Sequence, residues 1–359
     1  MLKKSLHIYT TPPYKVGGIM SILSAYEEHV AVFHEYGYEY ERLDIPYRTH
    51  IWSPLDNLIY IATQQLAVAR RLKRKDINVV HIHTSRVYLF AKDMLLCLMI
   101  HFLFKIPVCM TVHMTPIRAI FHRIGWMKRV SRWIMNHCII RVFLLSNATR
   151  YEFVQSGVCK DRAKVLYNFH NLKATSATVC DNTSLQLLFV GALCERKGIV
   201  GLLEACSKIS DVDFTLNVCG NVIEHVVEEK LKEYSSVLGD KLVYHGVKGG
   251  EELTRLYREA DIFILPSYSE GMPMVVLEAM SEGCALVCTP VGGTPEILAD
   301  DNVVWVAPGK IDEMACAIRT LASDDDRLER MKTSNKLLSE RFTVNNHICN
   351  LCSNYDKIQ

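Results

Sequence analysis

Glu270 and Glu278 bracket the stretch of this chain whose residue types are best suited to chemistry, Ser267-Tyr-Ser-Glu-Gly-Met-Pro-Met-Val-Val-Leu-Glu-Ala-Met280. Gly271 and Pro273 break the chain into a turn, and Met274 to Met280 reads as the first turns of a helix. The backbone amides at such a start, around Met272, Met274 and Val275, lack intrahelical acceptors and can hold a phosphate or a sugar hydroxyl. The two carboxylates can accept hydrogen bonds from hydroxyls. As the acid and nucleophile of a retaining glycosidase they would have to lie about 5–5.5 Å apart across one bond. The turn and helix between them work against that arrangement.

Cationic groups stand upstream. Arg196 and Lys197 precede Gly198 a few residues after the apolar run Leu185–Val190, where an expected strand hands over to a helix. Near the start, Gly17-Gly18 follows the run Leu6–Tyr9 and allows backbone to approach a ligand with no Cβ in the way. His113 closes the run Val108–His113, at the end of an expected parallel strand where open α/β sheets bind ligands, and His81 and His83 close an earlier one. His81 with His83, and Cys349 with Cys352, have metal-ligand spacing, but neither has a second pair nearby, so no metal site is expected.

These residues need elements to position them. Leu6–Tyr9, Val79–His83, Val108–His113 and Val142–Leu145 read as strands in the first half, and Leu185–Val190, Asp213–Val218, Lys241–Tyr244, Asp261–Leu265 and Ala285–Thr289 in the second. Apolar β-rich runs alternating with helical patterns predict parallel sheets covered by helices on both faces. At 359 residues the chain suits two domains. A polar, small-residue segment from about Asn168 to Asn182 reads as the joint, giving expected domains of 1–172 and 173–340 and a last helix over 341–359.

Charge divides the halves more sharply than the net value of +2 suggests. Residues 1–172 carry 23 Lys plus Arg against 11 Asp plus Glu, and residues 173–359 carry 18 against 28. From Met94 to Tyr151 there is no acidic residue, which points to an anionic partner for the first half. Ile117, Ile120, Phe121, Ile124, Met127, Val130 and Ile134 recur at helical spacing, with Trp126 and Trp133 beside them and Arg118, His122, Lys128, Arg129 and Arg132 between. Such a basic, aromatic helix suits an anionic membrane surface; a domain helix with a solvated basic face is the alternative. Because large apolar residues alternate with the basic ones, nucleic acid is not the expected partner. The apolar run Met94–Phe104, fenced by Lys92, Asp93 and Lys105, falls short of the roughly 20 residues of a spanning helix and reads as a buried helix. Thirteen cysteines scattered through apolar segments read as reduced thiols. The opening segment has no sustained apolar stretch, so a cytoplasmic protein is expected.

The motifs together resemble one family. Phe189-Val-Gly-Ala-Leu-Cys-Glu-Arg-Lys-Gly198, Asp261-Ile-Phe-Ile-Leu-Pro-Ser267, the Glu270–Glu278 stretch and Val291-Gly-Gly-Thr-Pro-Glu-Ile-Leu298 stand in the order and spacing of glycosyltransferase family 4, retaining enzymes of the two-domain GT-B architecture. The resemblance implies two Rossmann-like domains facing a cleft, with the final helix crossing back to the first. It implies a nucleotide-sugar donor held mostly by the second domain, with UDP favoured over GDP, and no metal or other cofactor. The implied acceptor is a glycan on a lipid carrier, as in such families' cell-surface polysaccharide pathways (O-antigen or capsule), at the inner face of the plasma membrane.

By the same resemblance Lys197 binds the donor phosphates, Glu278 the ribose hydroxyls and Glu270 the donor sugar. Gly17 and Gly18 lie over the diphosphate, and His113 lies near the reaction centre, with His83 toward the acceptor. Arg118, Lys128, Arg129 and Arg132 would meet the acceptor or membrane. The family's arginine five residues before the phosphate lysine is replaced by Ala192, and Arg196 is the candidate to stand in for it. Two other readings stay open: a sugar-nucleotide epimerase of the same architecture, and a binding or scaffold protein without turnover.

Overall fold

A computed structural model describes residues 2–11, 18–46, 53–85, 87–113, 127–172 and 184–357. The chain forms two compact units, one of Met1–Asn168 with Val344–Gln359 and one of Phe169–Thr343.

In the first unit the strands are β1 (Lys3–Thr11), β2 (Tyr38–Pro46), β3 (Val79–Thr84), β4 (Val108–Val112), β5 (Arg141–Leu144) and β6 (Ala163–Val165). Among the described residues they pair in the order β2-β1-β3-β4-β5-β6, parallel throughout. The helices are α1 (Gly18–Glu28), α2 (Val30–Glu35), α3 (Pro54–Leu72), α4 (Val87–Met99), α5 (Met127–His137) and α6 (Asn147–Gln155). Side chains alternate across each strand, and the register of the pairs keeps like with like. Leu6, Ile8, Val80, Ile82, Val108, Met110, Val142 and Leu144 fall on one face and pack with Val68, Phe90, Met94, Ile134 and Met135 from the helices. Fully burying one such side chain stabilises by roughly 1.5–3 kcal/mol, which is why this face is aliphatic. The other face carries His7 beside His81, and His83 beside Thr111.

The second unit repeats the plan with β7 (Leu185–Val190), β8 (Phe214–Cys219), β9 (Leu242–Tyr244), β10 (Ile262–Leu265), β11 (Ala285–Cys288) and β12 (Val304–Trp305), in the order β12-β11-β10-β7-β8-β9. Its helices are α7 (Ile199–Ser207), α8 (His225–Leu238), α9 (Gly250–Glu259), α10 (Met274–Glu282), α11 (Thr294–Ile297), α12 (Ile311–Ala322) and α13 (Asp325–Ser339). The last helix, α14 (Val344–Asp356), belongs to the first unit and buries Ile348, Leu351, Cys352 and Tyr355 there.

Three strands had no counterpart in the sequence reading: β2, β6 and β12. All three lie at sheet edges. An edge strand buries fewer groups, so its composition is freer: β2 reads Tyr-Glu-Tyr-Glu-Arg-Leu-Asp-Ile-Pro, and β12 is only two residues long. Lys92 and Asp93 also differ from expectation. Rather than fencing α4 at the solvent, both are buried as an ion pair 3.4 Å apart, with Lys92 Nζ also donating to Thr10 at the end of β1 at 2.5 Å. Burial without full solvation pushes the Asp93 carboxyl up to about 6. Among the described residues no helix is long and apolar enough to cross a membrane.

Candidate functional site

In the second unit, three loops leave the carboxyl ends of neighbouring strands β7, β10 and β11 and are pinned to one another. Gly198 closes the first with φ +73°, and a Cβ there would lie 2.1 Å from the Pro266 carbonyl oxygen, so only glycine lets the loop after β7 lie against the loop after β10. Gly292 does the same for the third loop, where a Cβ would come within 2.2 Å of the Glu270 carbonyl oxygen. Backbone bonds complete the join: the Tyr268 amide donates to the Arg196 carbonyl at 2.9 Å, and the Gly293 amide to the Gly271 carbonyl at 2.7 Å.

This frame places Lys197 against Glu270, residues 73 apart in the chain. Lys197 Nζ donates to Glu270 Oε1 at 2.7 Å, and the Ser267 hydroxyl donates to the same oxygen at 2.6 Å. Both charged side chains are largely buried, so the pair is a fixed feature rather than a surface contact. Arg196 sits beside it, half exposed, with its guanidinium donating to the Ser269 carbonyl at 2.6 Å and lying 3.8 Å from Glu270. Pro273 caps α10 in an extended conformation, and Met274 and Val275 form its first turn. One such loop end therefore carries two cations, a buried carboxylate and a helix start with its positive dipole end. That set can hold a diphosphate and a polyhydroxylated group side by side.

Glu278 lies one helical turn further on and is half-buried, accepting from the Tyr257 hydroxyl at 2.8 Å. Burial raises its carboxyl above the ordinary range, and the Tyr257 bond pulls the other way. Asn221, Val222, Tyr244 and Val247 line part of a surface cavity of about 450 Å³ at the ends of β8 and β9.

The first unit builds its carboxyl edge differently. His113 is the first residue after β4 and is half-buried. Its Nε2 lies 3.1 Å from His83 Nδ1, and His83 Nε2 lies 3.1 Å from His7 Nδ1. Behind them the Tyr355 hydroxyl of α14 is 2.5 Å from His81 Nδ1 and 3.4 Å from His7 Nε2, while His81 Nε2 meets Thr111 Oγ1 at 2.7 Å. The rings of His7, His81 and His83 stack with centroids 4.5–5.4 Å apart. Burial drives all four histidines well below their usual range, His113 to about 3, so they are neutral at neutral pH. Their places at strand ends had singled out His81, His83 and His113; His7 joined them because parallel pairing sets it opposite His81, a neighbour that no local pattern announces. His7, His81 and His83 each offer a ring nitrogen within 4.8 Å of the others. Such a trio is chemically able to bind a metal, but each of its nitrogens described above already faces a hydrogen-bonding partner.

The other residues singled out by sequence fall as follows. Gly17 and Arg118 lie outside the described residues, and Gly18 opens α1 at the surface. On α5, Arg129 is exposed and Lys128 half-buried, but Arg132 turns inward against Gly157, where a Cβ would come within 2.7 Å of its Nε. The apolar stripe also splits: Ile134 is buried, whereas Val130 and Trp133 are exposed, 47% and 46%. The helix uses one face to cover the sheet, and the large apolar groups left outside adjoin exposed Phe102, whose ring stacks on Trp133 at 6.4 Å. Twelve described cysteines are free thiols, and Cys349 and Cys352 join no third metal-ligating side chain among the described residues.

Comparison with known proteins places this frame. Residues 175–337 match the model of the glycosyl transferases group 1, and residues 25–174 that of glycosyltransferase family 4. A 41.2 kDa protein of the cps region of Klebsiella pneumoniae is 26% identical over 257 residues, 68% of this chain and 69% of that one. The O-antigen chain mannosyltransferase B of Escherichia coli is 29% identical over 168 residues, covering 44% of this chain and 42% of its own length, so with that relative less than half of either chain is shared. Among solved structures, Anabaena Alr3699/HepE in complex with UDP superposes with a TM-score of 0.73 over 99% of this chain and 100% of that one at 16% identity, which establishes a common GT-B fold. Two successive family models spanning both units, on the fold those enzymes share, make this chain a member of the family 4, group 1 glycosyltransferases.

Proposed function

We propose that the protein transfers a hexose or N-acetylhexosamine, with retention, from a nucleotide sugar to a glycan acceptor on a lipid carrier during cell-surface polysaccharide synthesis. The observation that carries the donor half of this reading is the buried Lys197–Glu270 pair at the start of α10, with Arg196 beside it. In the reaction the anomeric carbon loses its bond to the diphosphate and gains one to the acceptor oxygen on the same face. The acceptor proton passes to the departing phosphate oxygen. Negative charge grows on the diphosphate as its bond breaks, and preorganised cations and helix-start amides stabilise it without a metal. Lys197 and Arg196 supply that charge, Arg196 in the place left by Ala192. Glu270 holds Lys197 in position and faces the sugar hydroxyls, and Glu278 takes the ribose. UDP is the favoured nucleotide, in keeping with the UDP held by a solved neighbour of the same fold, and GDP is next.

The lipid-linked acceptor is supported by the surface of the first unit. Phe102, Leu103, Val130 and Trp133 are exposed together with Arg129, with half-buried Lys128 beside it, in a stretch of sequence without acidic residues. Apolar groups with a basic rim suit the interface of an anionic bilayer, which supports a location at the inner face of the plasma membrane. The polysaccharide role is supported by a relative whose name concerns O-antigen.

The test of the donor reading is thermal stability against UDP, GDP, ADP and their sugar conjugates, for the wild type and Lys197→Ala. A ligand at 100 times its Kd stabilises by about 2.7 kcal/mol. One nucleotide should raise the wild-type midpoint and leave the variant unmoved. No shift with any of them would overturn the reading in favour of a scaffold without turnover.

A further inference from the structure

Four histidines of the first unit form a single file. Hydrogen bonds run from Thr111 through His81, Tyr355, His7 and His83 to His113. Each neutral imidazole has one N–H and one lone pair, so it must donate on one side and accept on the other. The direction of one bond therefore sets the direction of all of them.

Tyr355 is where that direction is decided. Its phenol carries one proton and stands between two ring nitrogens, His81 Nδ1 at 2.5 Å and His7 Nε2 at 3.4 Å. An O–H donor forms its bond along the shorter contact, within the usual 2.5–3.0 Å range for hydroxyl donors. His81 then accepts at Nδ1 and donates from Nε2 to Thr111. On the other side the phenol oxygen accepts from His7 Nε2–H. His7 Nδ1 must in turn accept from His83 Nε2–H, and His83 Nδ1 from His113 Nε2–H.

We propose that Tyr355, acting through His7 and His83, fixes His113 as its Nε2–H tautomer, so that Nδ1 offers a lone pair to a hydroxyl of the bound sugar at the carboxyl edge of the sheet. Tyr355, His7 and His83 are then positioning residues, and His113 is the group that meets the substrate. The inference rests on the glycosyltransferase reading for its purpose, although the tautomer itself does not. A sheet-edge histidine held in the opposite tautomer would present N–H and would repel a hydroxyl proton at the same point. Burial supports this assignment: His7 and His81 have no exposed surface, Tyr355 is 2% exposed and His83 3% exposed, which keeps water from supplying an alternative partner. Displaced as far as His113 is from Tyr355, the choice is transmitted only because β1, β3 and β4 pair in parallel with these residues on one face. The final helix thus has a role in the site that its distance in sequence conceals.

The experiment is long-range proton–nitrogen NMR of the full chain labelled with ¹⁵N-histidine, at pH 7.5 and without substrate, His113 being assigned from its loss in His113→Gln. The expected spectrum has a pyridine-type Nδ1 and a pyrrole-type Nε2 at His113. The reverse pattern, or averaged shifts from both tautomers, overturns the proposal. Tyr355→Phe should bring His113 to averaged shifts. His83→Leu should do the same, while His83→Gln, whose amide can both donate to His7 and accept from His113, should keep the wild-type pattern. In transfer assays His83→Leu should lower kcat about 10- to 100-fold with the nucleotide-sugar KM unchanged, and His83→Gln should recover most of it. A folded His83→Leu with unaltered His113 shifts sinks the relay whatever its activity. If the wild-type tautomer is as stated but no sugar is transferred, the relay stands and the glycosyltransferase reading is the one that fails.

Discussion

The carboxyl edges of the two sheets occupy the same place in the same architecture and are chemically opposed. In the second unit that edge holds charge: Lys197 on Glu270, Arg196 alongside and a helix start between them. In the first it holds neutral, buried imidazoles and a phenol, while the unit's excess of basic residues is carried elsewhere, in part by Lys128 and Arg129 on α5. Near the first edge the buried cation Lys92 is already paired with Asp93. Under the proposed reading a diphosphate meets full charges and a sugar hydroxyl a directed lone pair, one fold serving both through a few residues at strand ends.

The comparison breaks most severely at Glu270. Glu270→Ala frees Lys197 from its partner and removes an acceptor for sugar hydroxyls. It should lower transfer by about 10²- to 10³-fold, the scale of removing one preorganised group, while the variant stays folded at 25 °C despite the unpaired Lys197. Radiolabelled sugar transfer measured alongside differential scanning calorimetry checks it; an active, folded variant would refute the assignment of Glu270.

Acidification should separate the units. Burial lowers His113 to about 3 and His347, on α14 with its Nδ1 2.7 Å from the Tyr167 carbonyl, to about 4 in the folded chain, against about 6.5 unfolded. As pH falls below 6.5 the unfolded chain takes up protons that the folded histidines refuse, so stability is lost from 6.5 downward. At pH 5 each of the two costs about 2 kcal/mol, and His7, His81 and His83 add in the same direction. Asp93 acts oppositely. Its folded value near 6 lies above the unfolded one, so protonation between about 6 and 4 returns roughly 2 kcal/mol. The histidines outnumber it, and the first unit should weaken first. Hydrogen exchange of the full chain at pH 7.5 and 5, corrected for intrinsic rates, would reveal it as faster exchange in β1, β3 and β4 than in β7, β10 and β11. Equal loss in both units would contradict the contrast.

The smallest effect concerns the surface of the first unit. Arg129→Glu with Trp133→Ser removes a cation, an exposed indole and the stacking partner of Phe102. With about 1 kcal/mol per charge near an anionic surface, binding to phosphatidylglycerol-containing vesicles should fall about tenfold or more in 0.1 M salt, and transfer to a soluble acceptor should not change. Equal sedimentation of variant and wild type with the vesicles would remove the membrane from the proposal.

Several features of the fold were open to a reader of residues alone. The central strands are apolar on one or both faces because helices cover them, and that demand writes a recognisable run such as Leu185–Val190, which the structure reproduces residue for residue. The helix at Met274 was legible because Gly271 and Pro273 leave the backbone few alternatives. Edge strands β2, β6 and β12 were not, since little burial constrains them. The buried face of α5 was not legible for a related reason: Arg132 and Ile134 go inward and Val130 stays out, because the sheet and Gly157 choose that face, and helical spacing only proposes one.

By itself the sequence determined the alternating α/β plan, which local patterning sets, the charge division between halves, which is composition alone, and the residue types of the loops that carry Lys197, Glu270 and Glu278. The tertiary structure alone decided which distant groups meet. His7, His81, His83 and His113 line up through the register of three parallel strands, and Tyr355 reaches them from 348 residues away. Hydrogen-bond direction along such a file depends on which proton donor stands at its far end, and only folding brings that donor there.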